Sequence, residues 1–255
     1  MAKTVNSLSN RRALRFGAVT NVGKVREVNE DAFTSNPQQG FFIVSDGMGG
    51  HEGGKAASQL VIKELPEILT EQLGRLRSSS SKSIRNAIRK SLVKLNHHIR
   101  NEGAEGNGSM QMGATVVMAL FSDERVYIVN VGDSRAYRLR NGELKQFTTD
   151  HSLVAELIEK GDIEPHQAES HPQQHIITQC IGFDKSVKPG IKSFVPKDTD
   201  RILLCSDGLT DVVSDRQITT ILRDKSEPQE MCERLIKAAN ETGGPDNITV
   251  VVIDC

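Results

Sequence analysis

Residues 30–51 read EDAFTSNPQQGFFIVSDGMGGH, two apolar segments flanking a polar break. Ala32–Ser35 has strand character, Asn36-Pro37-Gln38-Gln39-Gly40 is a turn, and Phe41–Val44 is an apolar run too short for a helix. The stretch predicts a β-hairpin with acids at its open end: Glu30 and Asp31 before the first strand, Asp46 after the second. Antiparallel pairing sets the start of one strand beside the end of the other, so Asp31 is expected near Asp46.

The same placement recurs further along the chain. Asp133 follows VYIVNVG and Asp207 follows ILLCS, so three buried strands each deliver an Asp at their C-terminal end. Asp246 precedes the last strand, Ile248–Ile253, and joins the row if that strand runs antiparallel to Ile202–Cys205. Glu30, Asp31, Asp46, Asp133, Asp207 and Asp246 are thus expected at one edge. That much like charge cannot stay partly buried without protonation or bound cations. Oxygen ligands without a His or Cys cluster favour Mg²⁺ or Mn²⁺ over Zn²⁺. Asp133 has a second reading, a structural salt bridge with Arg135. Gly47, Gly49, Gly50, Gly53 and Gly54 make a turn where backbone can approach a cation closely.

Elsewhere the periodicity alternates between helix and strand. Ala57, Leu60, Val61, Leu65, Ile68 and Leu69 predict a helix from Lys55, with Pro66 as a kink or break. Ile84, Ile88, Leu92, Leu95 and Ile99 mark a second helix, and the serine run 78–81 joins the two as an antiparallel pair. Thr115–Phe121 and Arg125–Val131 are strands, and Asn141-Gly142 signals a type I′ hairpin. Residues 152–181 form a polar excursion with one short helix, Leu153–Lys160, stopped by Gly161, and carry His166, His171 and His175. A capping box, Ser214 to Gln217, opens a further helix, and another lies near Gln229–Asn240.

Composition narrows the function classes. The chain has 255 residues, 37% hydrophobic and 25% charged, which suits a folded domain. Its 32 basic and 33 acidic residues leave a net charge of −1, with no global attraction to nucleic acid or anionic membrane. No apolar run is long enough for a transmembrane helix or a signal peptide, so the expected location is cytoplasmic. Cys180, Cys205, Cys232 and Cys255 form no CxxC pair, which argues against a zinc site or a disulfide framework. Residues 1–15 read as a basic leader and 16–255 as one domain. The span 75–100 holds eight Lys or Arg and no acid, either a solvated helix face or a means of steering acidic partners.

Taken in order, Arg26-Glu-Val-Asn-Glu-Asp31, Asp46-Gly-Met-Gly-Gly-His51 with Gly54 and Ala57-Ser58, Gly113-Ala-Thr115, Gly132-Asp-Ser-Arg135, Ser206-Asp-Gly-Leu209 and Asp246-Asn-Ile-Thr249 resemble the metal-dependent PPM (protein phosphatase 2C) family, bacterial branch. The resemblance runs over residues 16–254. It implies an α+β fold: a four-layer α/β/β/α sandwich, two antiparallel β-sheets face to face with helices on both outer faces. It also implies two Mn²⁺ or Mg²⁺ ions, with Asp46 bridging, the Gly47 carbonyl on one ion, Asp207 and Asp246 on the other, and Glu30 and Asp31 orienting bound water. A third, weaker site matches Asp133 with Asp207. Arg26 would bind phosphate.

The implied reaction is hydrolysis of phosphoserine and phosphothreonine in proteins by a hydroxide shared between the ions, opposing a companion Ser/Thr kinase. Many eukaryotic relatives resemble Asp-Gly-His where this chain has Asp46-Gly47-Met48, so the position of their histidine general acid is vacated. The resemblance then leaves three expectations: His51 as proton donor, His51 as substrate contact only, or a metal-bound water as the proton source. Residues 152–181 correspond to the family's flap. Two competing readings are a catalytically silent phosphoprotein-binding module and a hydrolase of small phosphate esters.

Overall fold

Alternation along single strands sets the layering. In β3 (Phe41–Ser45), Phe41 and Ile43 pack with helices α1 (His51–Gly74) and α2 (Ser81–Glu105), while Phe42 and Val44 face the other way into a second cluster. In β6 (Val116–Ser122), Val116, Met118 and Leu120 meet the helices, and Val117, Ala119 and Phe121 point inward. Successive strand residues lie on opposite faces, so a strand apolar at every position needs cover on both.

The computed structural model describes residues 14–105, 112–168, 171–183 and 185–255. One five-stranded antiparallel sheet runs β10 (Gly190–Phe194), β7 (Arg125–Val131), β6, β3, β2 (Ala32–Asn36). The other runs β1 (Arg15–Asn21), β12 (Ile248–Asp254), β11 (Arg201–Cys205), β8 (Arg135–Arg140), β9 (Glu143–Gln146). Phe42, Val117, Ile202, Leu204, Val251 and Ile253 fill the space between the sheets. Leu203, Val250 and Val252 pack outward against the single turn α4 (Asp207–Thr210), α5 (Asp215–Leu222) and α6 (Pro228–Glu241). The result is the expected four-layer α/β/β/α arrangement. A two-stranded ribbon, β4 (Gly47–Met48) with β5 (Gly113–Ala114), lies beside the end of β3.

Several local expectations hold. Asn141 and Gly142 have φ of 53° and 77°, the two positive values a type I′ turn demands. In α3 (Leu153–Lys160) Ser152 caps the start and Gly161, at φ 78°, ends it. Ser214 and Gln217 form a reciprocal capping box on α5.

Others are corrected. Helix α1 begins at His51 rather than Lys55 and runs through Pro66 without a break. Buried Leu65, Ile68 and Leu69 belong to the core that holds the helix against β3 and α2, and this packing outweighs the missing hydrogen bond. Strands β1 and β10 carry no clear sequence signal because both are edges with mixed exposure. β1 begins at Arg15, inside the stretch expected as a leader, and Arg15 bridges Glu227 and Asp254. Gly17 lets β1 press on α6, since a Cβ there would fall 2.3 Å from the Gln229 nitrogen. Residues 1–13 lie outside the described residues.

Candidate active site

Strands β3, β7 and β11 point their C-terminal ends the same way, and β2 and β12 begin there. Asp46, Asp133 and Asp207 follow the first three, and Glu30, Asp31 and Asp246 precede the other two. Ser206 Oγ donates to Asp31 Oδ2 at 2.7 Å and accepts from the Thr249 amide at 3.0 Å, tying the start of β2 to the end of β11 and the start of β12. Asp46 is held from below: its amide donates to Thr115 Oγ1 at 3.0 Å, and its carbonyl accepts from the Thr115 amide at 2.8 Å. Thr115 Oγ1 also lies 2.7 Å from Ser134 Oγ, next to Asp133. Thus the acids expected at one edge are brought together there.

Glycines set how closely the surrounding loops approach. A Cβ on Gly47 would sit 2.1 Å from the Gly54 carbonyl oxygen and 2.8 Å from that of Glu30. A Cβ on Gly54 would sit 2.8 Å from Glu30 Oε2, so the Asp46 turn and the Glu30 loop can meet only through bare backbone. Ser58 Oγ on α1 donates to the Glu30 carbonyl at 2.5 Å.

The cluster is electrostatically strained as it stands. Burial, then the charges of Asp31, Asp207 and Asp133, drive Asp46 well above the carboxylate range. Burial also lifts Asp31 to about 7 and Asp133 to about 8, with Asp207 the largest neighbouring charge in each case. Asp207 is raised by burial and by Asp211, while a hydrogen bond shared with Asp46 works against that rise. Asp31 Oδ1, Asp133 Oδ1 and Asp207 Oδ1 are buried and make no hydrogen bond among the described residues. Buried polar oxygens of this kind signal a missing partner, and beside so many acids a cation fits. Among the described residues no three His, Cys, Asp or Glu side chains are already closed about one point as a cage.

Arg26 and Asp133 differ from simple expectation. Arg26 Nη2 pairs with Asp246 Oδ2 at 2.8 Å, and with the two side chains 55% and 38% exposed the pair is weak and easily exchanged. The salt bridge considered between Asp133 and Arg135 does not form, because Arg135 binds Asp150 at 2.7 Å instead. The backbone of His51 starts α1, and its side chain lies outside the described residues.

Sequence reading missed several contributors. Asn247 Oδ1 accepts from the Glu30 amide at 2.8 Å, and its Nδ2 donates to the Val22 and Val28 carbonyls at 2.9 and 3.0 Å. It welds the loop carrying Arg26 and Glu30 to the turn carrying Asp246; its only sequence signal is its place after Asp246. Asp211 and Asp150 join Asp133 and Asp207 around a cleft of about 520 Å³ that His175 also lines. His175 Nδ1 lies 3.6 Å from Asp211 Oδ2. A larger recess of about 820 Å³ lies at the far end of β12, where Arg15 and Arg201 are already paired with Asp254. The unsatisfied acids, rather than cavity volume, mark the reactive end.

A sequence profile described as "Protein phosphatase 2C" matches residues 23–248. The chain belongs to that family. The serine/threonine phosphatase Stp of Listeria welshimeri is 37% identical over 240 residues, 92% of this chain and 93% of the relative. The crystal structure of the Mycobacterium tuberculosis serine/threonine phosphatase PstP/Ppp matches with a TM-score of 0.80 at 38% identity, covering 94% of this chain and 98% of that one. The catalytic domain of PstP in complex with two manganese ions matches with a TM-score of 0.76 at 35% identity, over 94% and 97% of the two chains. This chain is accordingly a serine/threonine protein phosphatase of a metal-dependent family, with phosphoproteins as its substrate class. No helix among the described residues is long and apolar enough to cross a membrane.

Proposed function

We propose that the chain dephosphorylates phosphoserine and phosphothreonine with two divalent cations, Mn²⁺ or Mg²⁺, held by Asp46, the Gly47 carbonyl, Asp207 and Asp246. The observation that carries this reading is the set of buried carboxyl oxygens on Asp31, Asp133 and Asp207 that find no hydrogen-bond partner among the described residues. When bound, such a pair neutralises phosphoryl oxygens and lowers the pKa of water toward about 7.

The chain's own residues supply orientation. Asp31, bonded to Ser206, and Glu30, whose backbone is held by Asn247 and Ser58, would accept hydrogen bonds from bound water. Arg26 exchanges Asp246 for the phosphate, whose oxygens suit its planar fork. No side-chain nucleophile is needed, and His51 donates a proton to the leaving alkoxide or contacts substrate. Asp133 with Asp207 would hold a third, weaker cation. Residues 14–255 act as one catalytic unit, with 152–181 as a flap. The physiological setting we infer is cytoplasmic, opposing a Ser/Thr kinase, with no nucleic-acid or membrane partner.

The test is phosphate release from phosphopeptides and p-nitrophenyl phosphate with Mn²⁺ and with EDTA, alongside calorimetric Mn²⁺ titration. Asp207→Asn should lose at least about 100-fold in turnover and most of its Mn²⁺ binding while its circular dichroism is unchanged. Near-parental turnover in that variant would contradict the ligand assignment. Mn²⁺ binding without turnover would favour a silent module, and preference for nucleotides or sugar phosphates would favour a small-ester hydrolase.

A further inference from the structure

The 152–181 excursion leaves the body directly after His151 and returns onto it. The neck is closed by two backbone bonds, Leu153 amide to Ile176 carbonyl at 2.9 Å and Thr178 amide to His151 carbonyl at 2.8 Å. On its other side His151 grips the turn before Asp133. Its amide donates to the Gly132 carbonyl at 3.0 Å, and its Nδ1 accepts from the Gly132 amide at 3.1 Å. Gly132 has φ of 100°, a conformation closed to most side chains, so this turn has little freedom of its own.

The tautomer follows from the neighbours. Gln179 Oε1 accepts from the Lys188 amide at 2.7 Å, and its Nε2 donates to the Lys188 carbonyl at 3.1 Å, which fixes which way the amide faces. The atom lying 2.9 Å from His151 Nδ1 is therefore an N–H. Nδ1 receives two donors, one from the returning arm of the excursion and one from the Asp133 turn, and the ring proton sits on Nε2. Burial also lowers the imidazole's pKa, which keeps it neutral. A neutral, half-buried histidine with this bonding does nothing in the hydrolysis described above, yet it touches both the turn before Asp133 and the neck of the excursion.

We propose that His151 is a positioning residue that registers the Gly132–Asp133 turn against the neck of the 152–181 excursion, so that closure of the neck sets how well Asp133 holds a divalent cation. The proposal rests on Asp133 being a cation ligand, as read above. The mechanism is a shared acceptor: releasing Gln179 or opening the neck lets the ring turn, the Gly132 amide loses its partner, and the carboxylate one residue on shifts away.

The experiment uses the full chain, with MnCl₂ as the only ligand, and reads calorimetric titration and amide hydrogen exchange. His151→Asn keeps an acceptor oxygen close to the place of Nδ1; His151→Leu removes it. Gln179→Leu leaves the Gly132–His151 bond in place and cuts the arm's share together with the two bonds to the Lys188 backbone, at a half-buried loop position that does not endanger folding. In His151→Leu we expect faster exchange at Gly132 and Thr178 and about tenfold weaker Mn²⁺ binding at the weakest site, the low end for hydrogen bonds behind metal ligands. His151→Asn should restore both, and Gln179→Leu should show a smaller loss of the same kind. Faster exchange with an unaltered isotherm in both His151→Leu and Gln179→Leu overturns the proposal, as does His151→Asn behaving like His151→Leu. Asp133→Asn separates the two failures. If it abolishes the weak site while the His151 and Gln179 variants do not touch that site, the coupling alone is wrong. If it leaves the isotherm unchanged, Asp133 is no ligand and the proposal falls with that reading.

Discussion

Asn247→Ala isolates the part of the site that no carboxylate provides. The side chain is 5% exposed and makes three hydrogen bonds, accepting from Glu30 and donating to the Val22 and Val28 carbonyls. At about 1 kcal/mol net for each bond, the truncation costs about 3 kcal/mol, which leaves a domain of ordinary stability folded at room temperature. The expected fall in Tm is about 6–12 °C for a chain of this length. Activity should suffer more than stability, because the loop from Val22 to Glu30 carries Arg26 and loses its weld to Asp246. A displacement of about 1 Å at such a point costs about 100-fold in kcat/KM. Asn247→Asp should be worse still, turning an oxygen toward two carbonyls and adding charge beside Asp246. The assays are thermal unfolding with Mn²⁺ and steady-state kinetics on a phosphopeptide below the new Tm. A variant within twofold of the parent in kcat/KM, or Asp tolerated better than Ala, would refute the reasoning.

Three further outcomes follow from the same structure. In EDTA, Asp31 and Asp133 keep protons to about 7 and 8 that the unfolded chain releases near 4, so Tm should fall as pH rises across that range; Mn²⁺ should flatten the curve, Asp133→Asn should reduce its slope, and a rising EDTA curve would count against buried, unpaired acids. Pro66→Ala restores a hydrogen bond in the middle of α1 and should stabilise by about 1–3 kcal/mol in denaturant melts with turnover unchanged. Asp200→Ala removes two charged bonds to Arg140 Nη2 and Nε, at 2.5 and 2.6 Å far from the acids, leaves Arg140 the Val195 carbonyl, and should cost about 1.5–3 kcal/mol while kcat per folded molecule stays near the parent value.

The acids were readable in advance because each stands one or two residues from a buried strand, and an antiparallel hairpin fixes which strand ends meet. The layered core was readable for a similar reason: Phe41 to Val44 and Val116 to Phe121 are apolar at every position, a pattern that only a sheet covered on both faces satisfies. Edge strands β1 and β10 were not, since residues such as Arg15, Lys192 and Ser193 gain their places from partners rather than from their own hydropathy. Pro66 misled for the opposite reason, a local breaking signal overridden by burial around it.

Residue types and their spacing along the chain determined the layered α+β class, the family and the row of acids, because alternation and strand-end position are short-range properties. Only the tertiary structure decided that Arg135 takes Asp150 rather than Asp133, that Ser206 and Asn247 hold Asp31 and Glu30, and that one imidazole nitrogen is shared between Gly132 and Gln179. Those choices join groups up to 217 residues apart, and a hydrogen bond is won by whichever partner the folded backbone carries within about 3 Å.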